Sequence, residues 1–256
     1  MTKVASMSPI KINALQFFTR EKLYGITCLA IVASLIFVAS LALYPFELTT
    51  PVSQVLGFIM QCLSYSAGHQ GFLITLCILG LTSIWVTRGT NHRTILLGQI
   101  AILLVLSFTT KTFLKQWTES PRPYTDVFVE ETIIDTQADF YALSTDKKNE
   151  VISLVAVANN VSEWRTKHWV GETDYSFPSG HTIFVAICVL FFAGIFASHQ
   201  HRLLASLVCF WAVGVAVSRL WLGMHRPEDL FGSLLFGLIL YLIVPSANSK
   251  FPLSSK

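Results

Sequence analysis

Charged side chains are scarce in this chain. Its 256 residues hold 18 Lys and Arg and 15 Asp and Glu, 13% charged against 53% apolar, with a mean hydropathy of +0.58. Soluble domains average about 25% charged residues, so the composition excludes an ordinary soluble globule and points to one membrane domain, 1–256. Cysteine motifs are missing too. Cys28, Cys77, Cys188 and Cys209 lie in apolar runs and Cys62 in an amphiphilic stretch, with no C-x-x-C spacing anywhere. That excludes the usual zinc and dithiol patterns and leaves five small hydrophobes. No basic patch is interleaved with aromatics, so no nucleic-acid partner is expected. Internal repeats and low-complexity tracts are absent.

Long apolar runs are what the chain does have. Residues 23–44 carry no charge and end at Pro45, enough to cross a hydrocarbon core of about 30 Å as a helix. That run is too long for a signal-peptide core and is expected to be retained. Runs at 71–87, 94–114, 181–197, 203–222 and 230–244 predict five more spans. The expected fold class is therefore an all-α integral membrane protein with six transmembrane helices. An interfacial helix is expected near 52–64, and a few short helices within the polar segment 116–180.

Charge asymmetry sets the orientation. The N-terminus, the 88–93 and 198–202 loops and the C-terminus hold Lys3, Lys11, Arg20, Lys22, Arg88, Arg93, Arg202, Lys250 and Lys256 against the single acid Glu21. Segment 116–180 holds eleven acids and five bases. Lys and Arg are retained on the cytoplasmic side, so both termini are expected inside and the long segment outside.

The same topology brings three charged motifs to one membrane face. Lys115 and Arg122 follow the third span, with Pro121 and Pro123 stiffening the backbone on either side of the Arg122 fork. Pro178-Ser179-Gly180-His181 opens the fourth span, where Ser179 suits an N-cap and the first-turn amides suit an anion. Arg219, His225 and Asp229 join the fifth span to the sixth. Pro227 fits the first turn of the last helix and places Asp229 where its carboxylate reaches His225. Taken singly, each has a plainer reading: Asp229 as a helix cap, Arg219 as a snorkelling side chain, His181 bonded to a carbonyl, and Lys115 and Arg122 paired with Glu119 or Asp126. Together, three cations, a capped helix start and two histidines favour a bound phosphate.

Lys115-x6-Arg122-Pro123, Pro178-Ser179-Gly180-His181 and Ser218-Arg219-x5-His225-x3-Asp229 resemble, in order, the three-part signature of the type 2 phosphatidic acid phosphatase superfamily. The resemblance covers residues 94–237 well and the first two spans only in general pattern. Its bacterial membrane branch implies a lipid phosphatase of the inner membrane with its site facing the periplasm. His225, held by Asp229, is the expected nucleophile. His181, at the positive end of a helix, is the expected general acid, gaining its proton when a phosphate arrives. Lys115, Arg122, Ser179, Gly180 and Arg219 are the expected phosphate ligands. No metal, cofactor or obligate protein partner is expected. The implied substrates are phosphatidylglycerol phosphate, phosphatidic acid, lysophosphatidic acid, diacylglycerol pyrophosphate and undecaprenyl pyrophosphate. A dedicated undecaprenyl pyrophosphate phosphatase and a lipid phosphotransferase share these motifs. A transporter of anionic lipids is disfavoured, since binding alone needs no paired histidines and no inverted repeat is visible. Lys111, Arg226 and Glu228 are left outside the site, Lys111 as a snorkelling chain and the other two at its rim.

Overall fold

The computed structural model describes residues 19–88 and 93–246. The N-terminal basic residues before Thr19 and those after Ser246, which bear on orientation, fall outside the described residues. No β-strand occurs among the described residues. The apolar runs fold as α1 (Arg20–Leu43), α3 (Phe72–Val86), α4 (Arg93–Thr118), α9 (Gly180–Cys188), α11 (Arg202–Trp221) and α12 (Pro227–Ile243). A π-helical turn (Val189–Ala193) and α10 (Gly194–Ser198) continue α9, so 180–198 forms one rod.

Four of these are long and apolar enough to cross a membrane: α1, residues 95–118 of α4, the 180–198 rod and α11. A fifth crossing arises if α2 (Gln54–Ala67) and α3, bent by 69° about the Gly68–Gly71 break, count as one. The helix expected near 52–64 forms as α2 and exposes Val55, Phe58 and Ile59. The expected sixth span falls on α12, whose 17 residues reach about 26 Å.

The 180–198 rod is the centre of the bundle. It is buried along nearly its whole length, whereas α1 and α4 are buried along one side only. Glycine makes that burial possible where α1 crosses the rod. A Cβ on Gly25 would lie 2.1 Å from the Leu190 carbonyl oxygen, and one on Gly194 2.6 Å from that of Glu21. Only small residues allow backbones this close.

Above the bundle, segment 116–180 forms α5 (Tyr124–Glu130), α6 (Gln137–Ala142), α7 (Thr145–Ala158) and α8 (Glu163–Trp169). They share a core of Tyr124, Phe128, Phe140, Ile152, Val155 and Trp169. This cap is pinned to the end of α11, where carbonyls lack helical partners. The Trp169 indole donates to Leu222 O at 2.7 Å, and the Arg165 guanidinium to Trp221 O at 3.3 Å and to Leu48 O at 2.7 Å.

Candidate active site

Helix α4 does not stop at the expected 114. It runs on through Thr118, because the next strong breaker is Pro121, so Lys115 sits in its last helical turn. Chain ties then draw the three motifs together. Tyr124 N donates to Gly223 O at 3.0 Å and Ser176 N to Ser120 O at 2.7 Å. Arg226 reaches back to Pro121 O at 2.6 Å and to Asp126 at 2.8 Å. Arg226 is thus a clamp between the first and third motifs, not a solvated rim residue; Glu228 is exposed.

A cavity of about 410 Å³ opens where α4, α9 and the α11–α12 junction meet. Lys115, Arg122, Gly180, His181 and His225 line it. Arg219 and Asp229 stand just behind, both buried. Ser179 is also fully buried and caps α9, its Oγ accepting from Thr182 N at 3.3 Å. Its backbone N–H is taken by Ser233 Oγ at 2.8 Å, so that amide is not free for an anion as the expectation had it. Lys111 lines the cavity as well, its stem lying against Gly180, where a Cβ would come 2.7 Å from Lys111 Cδ.

The cations hold carboxylates of the chain itself. Arg219 donates to Glu172 Oε2 at 2.7 Å and to Ser64 Oγ at 2.6 Å, while its buried Nε has no partner. Arg122 bonds the Asp174 carboxylate, donates to Asp174 O at 2.8 Å and to Met224 O at 3.1 Å, and lies 3.8 Å from Glu172. Lys115 Nζ is 3.0 Å from Asp174 and also bonds Tyr175 O. The plainer alternative, pairing with Glu119 or Asp126, does not form, yet the cations are paired with acids of the 116–180 segment all the same: the partners come from just before Pro178. Burial pushes the Glu172 carboxyl up, but Arg219, His181 and Arg122 outweigh it and hold it well below the usual carboxylate range. Asp174, whose side chain is more than half exposed, loses some hydration but is drawn down to about 2 by Arg122 and Lys115. Both acids are anions at any working pH.

At the third motif, Pro227 and Asp229 occupy the first turn of α12. Asp229 Oδ2 accepts from Arg226 N at 2.9 Å and lies 3.4 Å from His225 Nδ1. Ser176, which sequence reading passed over, bonds Asp229 Oδ2 and lies 3.3 Å from the same ring nitrogen. Burial, then Arg122 and Arg219, hold the His225 imidazole well below the usual histidine range, so it is neutral near pH 7. With Nδ1 turned to Ser176 and Asp229, Nε2 is the nitrogen left for chemistry. His181 Nε2 abuts the α2–α3 bend, where a Cβ on Gly68 would lie 2.8 Å away. Among the described residues no group of three or more His, Cys, Asp or Glu side chains is placed to hold a metal ion.

Among the described residues, a bundle of membrane-length helices whose end holds a cavity lined by cations and two histidines defines a class: an α-helical membrane protein with a polar site at the end of its apolar bundle. The sequence profile of the PAP2 superfamily matches residues 95–251, and the chain belongs to that superfamily. It is similar to phosphatidylglycerophosphatase B of Escherichia coli (strain K12), 32% identical over 160 residues, 62% of this chain and 63% of that one. The aligned part thus spans less than two thirds of the Escherichia coli relative. Phosphatidylglycerophosphatase B of Haemophilus influenzae is 29% identical over 185 residues, 69% of this chain and 76% of that one. A crystal structure described as the first transmembrane PAP2 type phosphatidylglycerolphosphate phosphatase from Bacillus subtilis superposes on 88% of this chain and 92% of its own. The sequence identity is 18% and the TM-score 0.46.

Proposed function

We propose that this protein is a lipid phosphate phosphatase of the bacterial inner membrane. Its reaction is hydrolysis of phosphatidylglycerol phosphate to phosphatidylglycerol and phosphate. The single observation that carries the reading is that residues from all three PAP2 motifs line one cavity at the end of a bundle of apolar helices. The relatives' name supplies the substrate. Phosphatidic acid, lysophosphatidic acid, diacylglycerol pyrophosphate and undecaprenyl pyrophosphate offer the same terminal phosphate and are further candidates.

In this reading His225 Nε2 attacks phosphorus and a phosphohistidine forms as the P–O bond to the lipid breaks. His181 hands its proton to the departing alkoxide. Asp229 orients the attacking ring. Lys115, Arg122, Arg219 and the backbone at Gly180 spread the charge of the equatorial oxygens. Water then cleaves the P–N bond and releases inorganic phosphate. Both termini lie in the cytoplasm, α12 and the α2–α3 pair complete six spans, and the cavity faces the periplasm.

The test is phosphate release by purified protein in detergent with a chelator present. Wild type is expected to turn over and His225→Ala to lose at least about 10³-fold. Turnover stopped by chelator, or retained by the variant, refutes the mechanism.

A further inference from the structure

Ser176 belongs to none of the three motifs, yet it is fully buried at the centre of the proposed chemistry. Its backbone N–H is fixed to Ser120 O at 2.7 Å, which holds it in place from the first motif. Its hydroxyl has three neighbours: Asp229 Oδ2, His225 Nδ1 at 3.3 Å and Met224 O at 3.4 Å. A carboxylate can only accept, and a charged acceptor takes the hydroxyl proton in preference to a more distant carbonyl. With that proton committed to Asp229, the oxygen presents a lone pair to the imidazole. The only ring state that matches a lone pair is one with hydrogen on Nδ1. Asp229 itself is 3.4 Å from Nδ1, beyond the roughly 2.7–2.9 Å of a charge-assisted bond, and already accepts from Arg226 N.

From this geometry we infer that Ser176 is a positioning residue for the reaction proposed above: its hydroxyl couples Asp229 to His225 and keeps Nδ1 protonated, so that Nε2 is free to attack phosphorus. The orienting unit is a chain of three groups, in which serine carries the influence of the carboxylate to the ring. When Nε2 bonds phosphorus the ring becomes cationic, its N–H a stronger donor, and the same oxygen stabilises it. The other charged or titratable groups whose fields reach His225 are Arg122, Arg219, Lys115, Glu172 and His181. None of these is replaced below; besides Ser176, only Asp229 is changed, and deliberately.

The test measures kcat and KM against pH for phosphate release from phosphatidylglycerol phosphate in detergent. Ser176→Ala is expected to lower plateau kcat by about 10- to 100-fold, the worth of a hydrogen bond to a charged group, with KM within twofold. Without an acceptor for Nδ1–H the cationic ring is disfavoured, so the acid limb of kcat/KM moves to lower pH. In an Asp229→Asn background the same change is expected to cost less than about threefold, because the chain is already cut. Ser176→Cys keeps the size and weakens the hydrogen bond; it is expected to follow alanine in kcat while melting like the wild type. An unmoved acid limb, a loss that multiplies with Asp229→Asn, or a Cys variant as active as wild type each overturns the inference. So does a Ser176→Ala loss accounted for by a lowered melting temperature. Wild-type protein that releases no phosphate refutes the function and this inference together. Wild-type turnover with an indifferent Ser176→Ala refutes only the latter.

Discussion

Two walls of the same cavity are built in opposite ways. The 180–198 rod, which begins with Gly180 and His181, is packed on nearly every side, whereas α4, which brings Lys111 and Lys115, leaves most of its surface outside the bundle and exposes Ile102, Val105, Phe108 and Phe113. A histidine that transfers a proton needs a fixed distance to the reacting atom, and close packing provides it. A cation that meets a lipid headgroup needs access from the membrane, and a helix open on one side provides that. The division of labour follows from how many neighbours each helix has.

Four experiments break or sharpen that contrast, given in order of expected effect. His181→Asn on the packed wall should slow phosphate release from lipid phosphates by about 10³-fold, yet slow an aryl phosphate, whose leaving group needs no proton, by only about tenfold. Equal losses on both substrates would remove His181 from the acid role. Gly25→Ala, which drives a methyl into the backbone of the rod, should destabilise by about 1–3 kcal/mol and lower the melting temperature in detergent by several degrees.

The third prediction concerns pH. Burial, then Arg219, lowers His168 to about 4, and its Nε2 has no partner in the cap. The unfolded chain takes up that proton near pH 6.5 while the folded protein refuses it, so stability drains away as pH falls from 6.5 to about 4. His168→Gln should flatten that part of a melting-temperature profile, and an unchanged slope would assign the acid loss to other groups. The smallest effect is expected on the open wall. A Cβ on Gly98 of α4 meets nothing, so Gly98→Ala should leave the melting temperature unchanged or raise it slightly, through helix propensity alone.

What could be read from the residues depended on whether position was set locally or by packing. Apolar run length gave α1, α4, the 180–198 rod and α11, since crossing a hydrocarbon layer is a one-dimensional requirement. Motif spacing brought Lys115, Arg122, His181 and His225 to one cavity. Glu172 lay in a stretch resembling the family but had no assigned role, and Asp174 and Ser176 were not singled out, because their segment has no regular period; their positions follow from Ser120, Arg122 and Arg219 meeting them from other parts of the chain. A cluster of two acids and a hydroxyl directly ahead of Pro178 was the available signal. The break between α2 and α3 was legible, since Gly68, His69, Gln70 and Gly71 interrupt the apolar pattern; that the two helices together could count as one bent span was not, because the 69° between them is set by packing. The Ser179 amide was assigned to an anion because its acceptor, Ser233, lies 54 residues away.

The cavity carries counter-ions of its own. Lys115, Arg122 and Arg219 face Glu172 and Asp174, so in the proposed reaction an arriving phosphate has to exchange with them, and its affinity is the difference between two sets of pairings. On the proposed function such a site would hold free phosphate poorly and let the product go. A headgroup tethered to the bilayer is presented at high local concentration and fills it nonetheless.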